Sequence, residues 1–199
     1  MKQIAGGVTA AKGYEAASTA AGIKYQNRTD MAMIYSQVPS VAAGTFTTNV
    51  VKAAPVKWDQ QVVKSGAKVQ AVIVNSGIAN ACTGSEGFGY CKDTADAAAA
   101  ALGISADGVL VGSTGVIGKQ IPIEKLTAGV AELAKKKQAT LESGQEAAKA
   151  IMTTDTKEKE LAVEIEVAGK TVTIGGMAKG SGMIHPLSLI HISEPTRPY

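Results

Sequence analysis

Val69-Gln70-Ala71-Val72-Ile73-Val74-Asn75-Ser76-Gly77-Ile78-Ala79-Asn80 is the stretch on which the fold turns. Its first half is rich in β-branched residues and predicts a strand, Val69 to Val74. The strand runs straight into its second half, Asn75 to Asn80. A strand ending in Asn, Ser and Gly delivers polar groups to the top of a sheet.

Working outward toward the C-terminus, Thr83 to Tyr90 carries three glycines and predicts a loop. Asp93 then predicts a helix cap, with Asp96 in the dipole-favoured first turn. Ala97 to Leu102 is strongly helical in composition, and Gly103 ends the run. Gly108 to Val111 predicts a strand and Gly112 to Gly118 the loop after it. Pro122 opens a helix at the position where its missing amide hydrogen costs nothing. Ile123, Leu126, Val130, Leu133 and Ala134 share one face of that helix. Glu142 to Met152 predicts another helix, broken by Thr153-Thr154-Asp155-Thr156. The alternating Leu161 to Val167 predicts a half-exposed strand, turned at Gly169-Lys170 into a hairpin with Thr171 to Ile174. Toward the N-terminus, Asp30 to Tyr35 and Gly44 to Asn49 predict strands. Pro55 marks a boundary, and Gln60 to Gly66 predicts a short helix. Hairpins mixed with helices give an α+β class, with helices covering a sheet.

Composition narrows the function. The 199 residues suffice for one sizeable domain or two small ones. Hydrophobic residues make up 45% and aromatics only 4%, so the core is aliphatic and alanine-rich. A net charge of +3 is too small to argue for nucleic acid. The one basic run, Lys135-Lys136-Lys137, ends a predicted helix, where cations complement the dipole. Cys82 and Cys91 form neither a disulfide framework nor a zinc spacing, and free buried thiols are expected. Met1 to Gly7 lacks the apolar core of a signal peptide, and no run approaches the roughly 18 apolar residues of a membrane helix. A cytoplasmic protein without membrane or nucleic-acid partners is expected.

Several signatures fail. Gly118-Lys119 resembles the end of a phosphate-binding P-loop, but Ser113 and Gln120 stand where glycine and Ser/Thr are required. No G-x-G-x-x-G follows a strand, and no G-x-S-x-G surrounds a serine. His185 and His191 have no partners in a metal-binding spacing, so no metal is expected. Three polar stretches remain. Ser113-Thr114-Gly115 reads either as an oxyanion hole of amides and a hydroxyl or as an ordinary glycine-rich turn. Thr153 to Thr156 reads either as a contact for a polar substrate or as helix termination. Gly175 to Pro186 packs four glycines, Lys179, Ser181 and His185 into twelve residues. It reads either as a flexible loop or as backbone that other groups approach closely.

Six segments, in order, resemble the bifunctional ornithine acetyltransferase / N-acetylglutamate synthase family of arginine biosynthesis. They are GGVTAAKGY from Gly6, GTFTTNVVKAAPV from Gly44, NSGIANACTG from Asn75, STGVIG from Ser113, IMTTDT from Ile151 and GGMAKGSGM from Gly175. Ile78 departs from the asparagine common in the third. The resemblance implies a layered αββα-type sheet sandwich flanked by helices. It implies that Thr114 and Gly115 form the oxyanion hole, through hydroxyl and amide. It implies that Thr153 and Lys179 bind the amino-acid substrate. The reaction implied is ping-pong transfer of acetyl from N-acetylornithine to glutamate through an acetyl-threonine, with acetyl-CoA as a substrate of some members. No bound cofactor is implied. The partner is a β-chain from the same precursor, giving a hetero-oligomer. Without that partner, apolar faces of this chain should be left uncovered. A non-catalytic small-ligand binding domain and an amide hydrolase of the same fold are the alternatives.

The pattern stops at Pro186. Leu187 to Tyr199, LSLIHISEPTRPY, has no periodicity and resembles translated sequencing-adapter DNA. The expectation is an α-chain-like domain over 1–186 and a non-native tail over 187–199. In the family, an Ala-Thr is cut and the threonine becomes the nucleophile. Counting on from Pro186, that threonine falls at Ile190, preceded by Leu189. This polypeptide is therefore expected neither to cleave itself nor to transfer acetyl. Intact mass and a glutamate-acetylation assay check both; a cut near residue 189, or transfer above background, would overturn the reading.

Overall fold

The computed structural model describes residues 1–180. The expected domain boundary after Pro186, the tail, His185, His191 and the position of Ile190 lie outside the described residues. In chain order the elements are β1 (Lys2–Ile4), β2 (Tyr14–Thr19), β3 (Met31–Ser40), α1 (Ala54–Ser65), β4 (Val69–Ile78), α2 (Gly84–Leu102), β5 (Val109–Val116), α3 (Ile123–Lys136), α4 (Leu141–Ala150), β6 (Lys159–Val167) and β7 (Lys170–Ala178). One sheet has the order β2-β3-β4-β5, the other β1-β6-β7. All pairings are antiparallel except β4 with β5, which run parallel and are joined through α2. The α+β class and the layering of helices on sheets are as expected.

Strand alternation sorts the four-stranded sheet into two faces. Ala17, Met31, Met33, Ala71, Ile73, Val109 and Val111 pack against α1, α2 and α3 through Ala54, Cys91, Ala95, Ala98, Leu126, Val130 and Leu133. The opposite face presents Ala16 and Ala32, which are sealed by Ala147, Ala150 and Ile151 around α4. On that same face Ile34, Val72 and Leu110 are only half-buried. One face of the second sheet is apolar at Leu161, Val163, Ile165, Val167, Val172 and Ile174, and each of these is half-buried or exposed. Apolar faces on both sheets are thus left partly uncovered.

Five local expectations change. β4 and β5 run on through Ile78 and Val116, so Asn75–Ile78 and Gly112–Val116 are strand, held by mutual pairing in register from Ala71↔Val109 to Ile78↔Val116. Gly44 to Asn49 is not a strand but an exposed loop. β2 and β4 already occupy both edges of β3, and Thr47 and Asn49 turn their side chains onto the amides of Asn49 and Val51 (3.2 and 3.0 Å). Thr83 to Tyr90 is mostly helix, because α2 begins at Gly84 and not near Asp93. Tertiary contacts outweigh the glycines: Phe88 packs on Trp58, with ring centroids 6.0 Å apart, and Asn80 Nδ2 donates to Gly87 O at 2.6 Å. Cys91 is buried as expected, but Cys82 is exposed; both are free. Pro55 opens α1 at its first turn, earlier than the predicted start at Gln60. Pro122 caps α3, and Thr140 caps α4 by accepting from Ser143 N.

β5 is the edge of its sheet, and α1 covers its backbone. Trp58 Nε1 donates to Val109 O at 3.0 Å, and Asp59 Oδ1 accepts from Val111 N at 2.9 Å. Burial pushes the Asp59 carboxyl up to about 6, against the pull of the Val111 amide. Burial, with Asp59 nearby, pushes the Cys91 thiol up to about 12, so this thiol is inert at neutral pH. Because the folded state raises the pKa of Asp59, folding favours its protonated form. That stabilisation is fully present below the unfolded pKa near 4 and is lost as pH rises through about 6. Asp59→Asn keeps an acceptor for Val111 and removes the buried charge. It should raise stability at pH 7 by roughly 1–3 kcal/mol and have little effect at pH 4. Thermal melts across pH 4 to 7 check this; an equal gain at both ends would contradict it.

Candidate active site

The carboxyl ends of the two parallel strands meet at Gly77 and Gly115, which are paired in register. Both have positive φ, +104° and +131°. A side chain at Gly115 would strike the carbonyl of Gly77, and one at Gly77 would strike Lys24 Cβ. Glycine at both positions lets the strands separate from flat geometry while their backbones stay in contact. Carboxyl ends of parallel strands are where open α/β sheets form ligand crevices, and a cleft of about 260 Å³ opens here.

One wall of the cleft is Ser76, Gly77, Gly115 and Val116. A second is Thr153 and Thr154, beyond the end of α4. The third is Lys24, Tyr25, Arg28 and Asp30, from the segment between β2 and β3. The walls are tied together by hydrogen bonds. Ser76 N donates to Asp30 O at 2.8 Å, and Ser76 Oγ donates to Ala150 O at 2.8 Å. The buried Asp30 carboxylate accepts from Ala21 N (2.8 Å) and Ile23 N (2.6 Å). Arg28 Nη2 donates to Met152 O (2.7 Å) and Thr153 O (3.2 Å), satisfying carbonyls left open where α4 ends.

Of the four residues singled out by resemblance, Gly115 and Thr153 line this cleft. Thr114 is half-buried, opposite Ser76 in the parallel register and hence on the α4 face of the sheet. Lys179 follows β7 and is not among the residues that line the cleft; it lies beside Asp155, which accepts from Thr153 N. Its Nζ lies 3.6 Å from Asp155 Oδ2 and donates to Gly180 O at 2.8 Å. The Asp155 side chain, 2% exposed, also accepts from Gly180 N (2.6 Å), Thr153 N (3.2 Å) and Lys159 Nζ (3.2 Å). Burial pushes its carboxyl up, but these donors and Lys179 together hold it below its usual range. Asp155 thus joins Thr153 to the Lys179–Gly180 end of β7. Thr153 to Thr156 follows the end of α4 and places Thr153 and Thr154 at the cleft.

Sequence reading misses Lys24, Tyr25, Arg28 and Asp30 as site residues, whereas Asp155 falls within the Thr153 to Thr156 stretch that it singles out. Lys24 Nζ lies 4.6 Å from the Tyr25 ring centre and Arg28 Cζ 5.6 Å. The hydrogen bond from Lys24, then its charge, pulls the Tyr25 phenol below its usual range. A Lys-Tyr…Arg…Asp spacing in a loop carries no signal of its own; only the fold brings it over Gly77. Inside the sheet, on the helical face, Ser113 Oγ donates to Asn75 Oδ1 (2.7 Å) and Asn75 Nδ2 to Ile78 O (2.9 Å), fixing the strand ends from behind. Among the described residues no group of three or more His, Cys, Asp or Glu side chains is placed to hold a metal, and no helix is long and apolar enough to cross a membrane.

Residues 15–188 match the family described as the ArgJ family. The arginine biosynthesis bifunctional protein ArgJ of Gloeobacter violaceus is 52% identical over 184 residues, 92% of this chain and 45% of its own length. The chloroplastic protein of that name from Oryza sativa subsp. japonica is 45% identical over 186 residues, 93% of this chain and 40% of its own. The chain spans about half the length of the curated relatives it matches. Among solved structures, ArgJ from Bacillus halodurans superposes with a TM-score of 0.87 at 44% identity, covering 92% of this chain and 95% of that chain. Ornithine acetyltransferase complexed with ornithine, from Mycobacterium tuberculosis, gives 0.86 at 49% identity, covering 91% and 95%.

The glycine contact makes a sharp contrast testable. Gly115→Ala forces a side chain into positive φ and against the Gly77 backbone, and should cost about 3 kcal/mol or more. Gly118→Ala, at φ +72° with open space around it, should cost about 1 kcal/mol. Chemical denaturation of both variants checks the difference; equal losses would show that the contact is not tight.

Proposed function

This chain belongs to the ArgJ family, and we propose that it is the α-chain portion of an enzyme that moves acetyl from N-acetylornithine to glutamate in arginine biosynthesis. The observation that carries the reading is the cleft at the ends of β4 and β5, where the strained Gly115 backbone faces Thr153. In this reading the Thr114 hydroxyl and the Gly115 amide receive the negative charge of the tetrahedral intermediate. Such a donor contributes roughly 3 kcal/mol to acyl transfer. Thr153 contacts the amino acid, and Lys179 offers a compact positive charge for its α-carboxylate. Asp155 sets the position of both.

The nucleophile belongs to a β-chain, in keeping with a chain that spans about half its curated relatives but 95% of each solved chain. A threonine hydroxyl there attacks the acetyl carbonyl of N-acetylornithine, with the free N-terminal amine taking its proton. The C–N bond breaks, ornithine leaves with a proton, and an acetyl-threonine ester remains. The amine of glutamate attacks that ester and releases the threonine. Both tetrahedral intermediates place their oxygen at Thr114 and Gly115. Acetyl-CoA is an alternative first donor. The β-chain also covers the apolar faces at Ile34, Val72 and Leu110 and along β6 and β7, completing a hetero-oligomer. The assembly works in the cytoplasm on dissolved amino acids.

Co-expression of this chain with the C-terminal half of the Gloeobacter violaceus relative should yield glutamate-dependent acetyl transfer. In that assembly Thr114→Ala should lower kcat by roughly 100-fold with a smaller change in KM, and Lys179→Ala should chiefly raise KM. Unchanged kcat in Thr114→Ala would reject the oxyanion assignment. Hydrolysis of peptides in place of transfer would favour the hydrolase relatives.

A further inference from the structure

Lys24 and Arg28 raise a question that the acetyl-transfer reading leaves open. They stand together on one wall of the cleft, and among the described residues neither forms an ion pair with a carboxylate. By contrast Lys179, assigned to substrate on resemblance, already has Asp155 beside it. The one acidic residue on the Lys24 wall, Asp30, is 1% exposed. Its two carboxylate oxygens are occupied by the amides of Ala21 and Ile23, so its charge is answered from behind. The cleft therefore presents net positive charge to whatever enters it.

The geometry holds these cations in place. Lys24 Cβ sits directly over Gly77, so its stem is fixed against the strand pair that carries Gly115. Its ammonium lies against the Tyr25 ring, which restrains it without neutralising it. Arg28 spends one amino group on the Met152 and Thr153 carbonyls, and a guanidinium has further donors beyond these. A planar cation and a point cation, both anchored and both without a carboxylate partner, suit a compact anion.

We propose that Lys24 and Arg28 form an anion subsite that takes the side-chain carboxylate of the acceptor amino acid. The proposal rests on the acetyl-transfer reading for the identity of that acceptor. Its consequence is selectivity. Donor and acceptor of such a reaction differ at the side-chain end, an ammonium on ornithine and a carboxylate on glutamate. Two fixed cations attract the second and repel the first, so the subsite favours glutamate over ornithine and over the neutral isostere glutamine.

The test is equilibrium binding to the full 199-residue chain by saturation-transfer NMR, which tolerates self-association. The probes are glutamate, glutamine and inorganic phosphate, against the native chain, Lys24→Gln and Arg28→Lys. Glutamate should bind roughly 5- to 10-fold more tightly than glutamine. Lys24→Gln should abolish most of that preference while leaving glutamine binding and the thermal transition unchanged. Arg28→Lys keeps the charge and should retain part of the preference. Equal binding of glutamate and glutamine, no detectable glutamate binding, or a preference that survives Lys24→Gln would overturn the proposal. Phosphate bound more tightly than glutamate, and lost in Lys24→Gln, would overturn the assignment to the acceptor. Acetyl transfer does not enter this readout. Failure of the transfer assay with glutamate selectivity intact strikes the reaction; loss of selectivity with transfer intact strikes the subsite.

Discussion

The contact between Gly77 and Gly115 is the constraint on which the site depends. Two parallel strands end side by side with both backbones at positive φ and no room for a Cβ between them. The pairing runs on through both glycines to Ile78↔Val116, and the crevice opens at these strand ends. Everything else around the cleft holds this pair where it is. Asn75 and Ser113 brace it from the helical side, and Ser76 ties it to Asp30 and to the end of α4.

Two buried carboxylates then arrange the side walls. Asp30 gathers the amides of Ala21 and Ile23 and thereby shapes the turn that carries Lys24 over Gly77. Asp155 gathers Thr153, Gly180, Lys159 and Lys179 and so brings the end of β7 to the break after α4. Each carboxylate accepts hydrogen bonds from several donors, which is what lets an acidic side chain remain buried.

The apolar surfaces show the same division of labour on a larger scale. α1, α2 and α3 fully cover one face of the four-stranded sheet, where residues such as Met31, Met33 and Val130 have no exposure at all. α4 covers only the β2-β3 half of the other face, and the β6-β7 hairpin keeps a whole apolar side open. Ile34, Val72 and Leu110 lie on the same face of the four-stranded sheet as Thr114.

The sequence alone determined the α+β class, the helices after Pro122 and Glu142, the β6-β7 hairpin and the strand nuclei at Asp30 and Val69, because each is written in local periodicity or punctuation. It also carried the family resemblance and, through it, Thr114, Gly115, Thr153 and Lys179. It misjudged Thr83 to Tyr90 and Gly44 to Asn49. Glycine content argues against a helix that Phe88, Gly87 and Asn80 nonetheless pack into place, and β-propensity argues for a strand where Thr47 and Asn49 instead turn their side chains onto nearby amides. Only the tertiary structure decided that Asn75 and Ser113 lie within paired strands, that Lys24, Arg28 and Asp30 converge on Gly115, and that Asp155 bonds Gly180 behind Thr153. Those placements join residues 25 to 125 positions apart through hydrogen bonds such as Gly180 to Asp155 and Arg28 to Thr153. No window of sequence contains both partners of such a bond, so the physical reason for the site is visible only once the chain has folded.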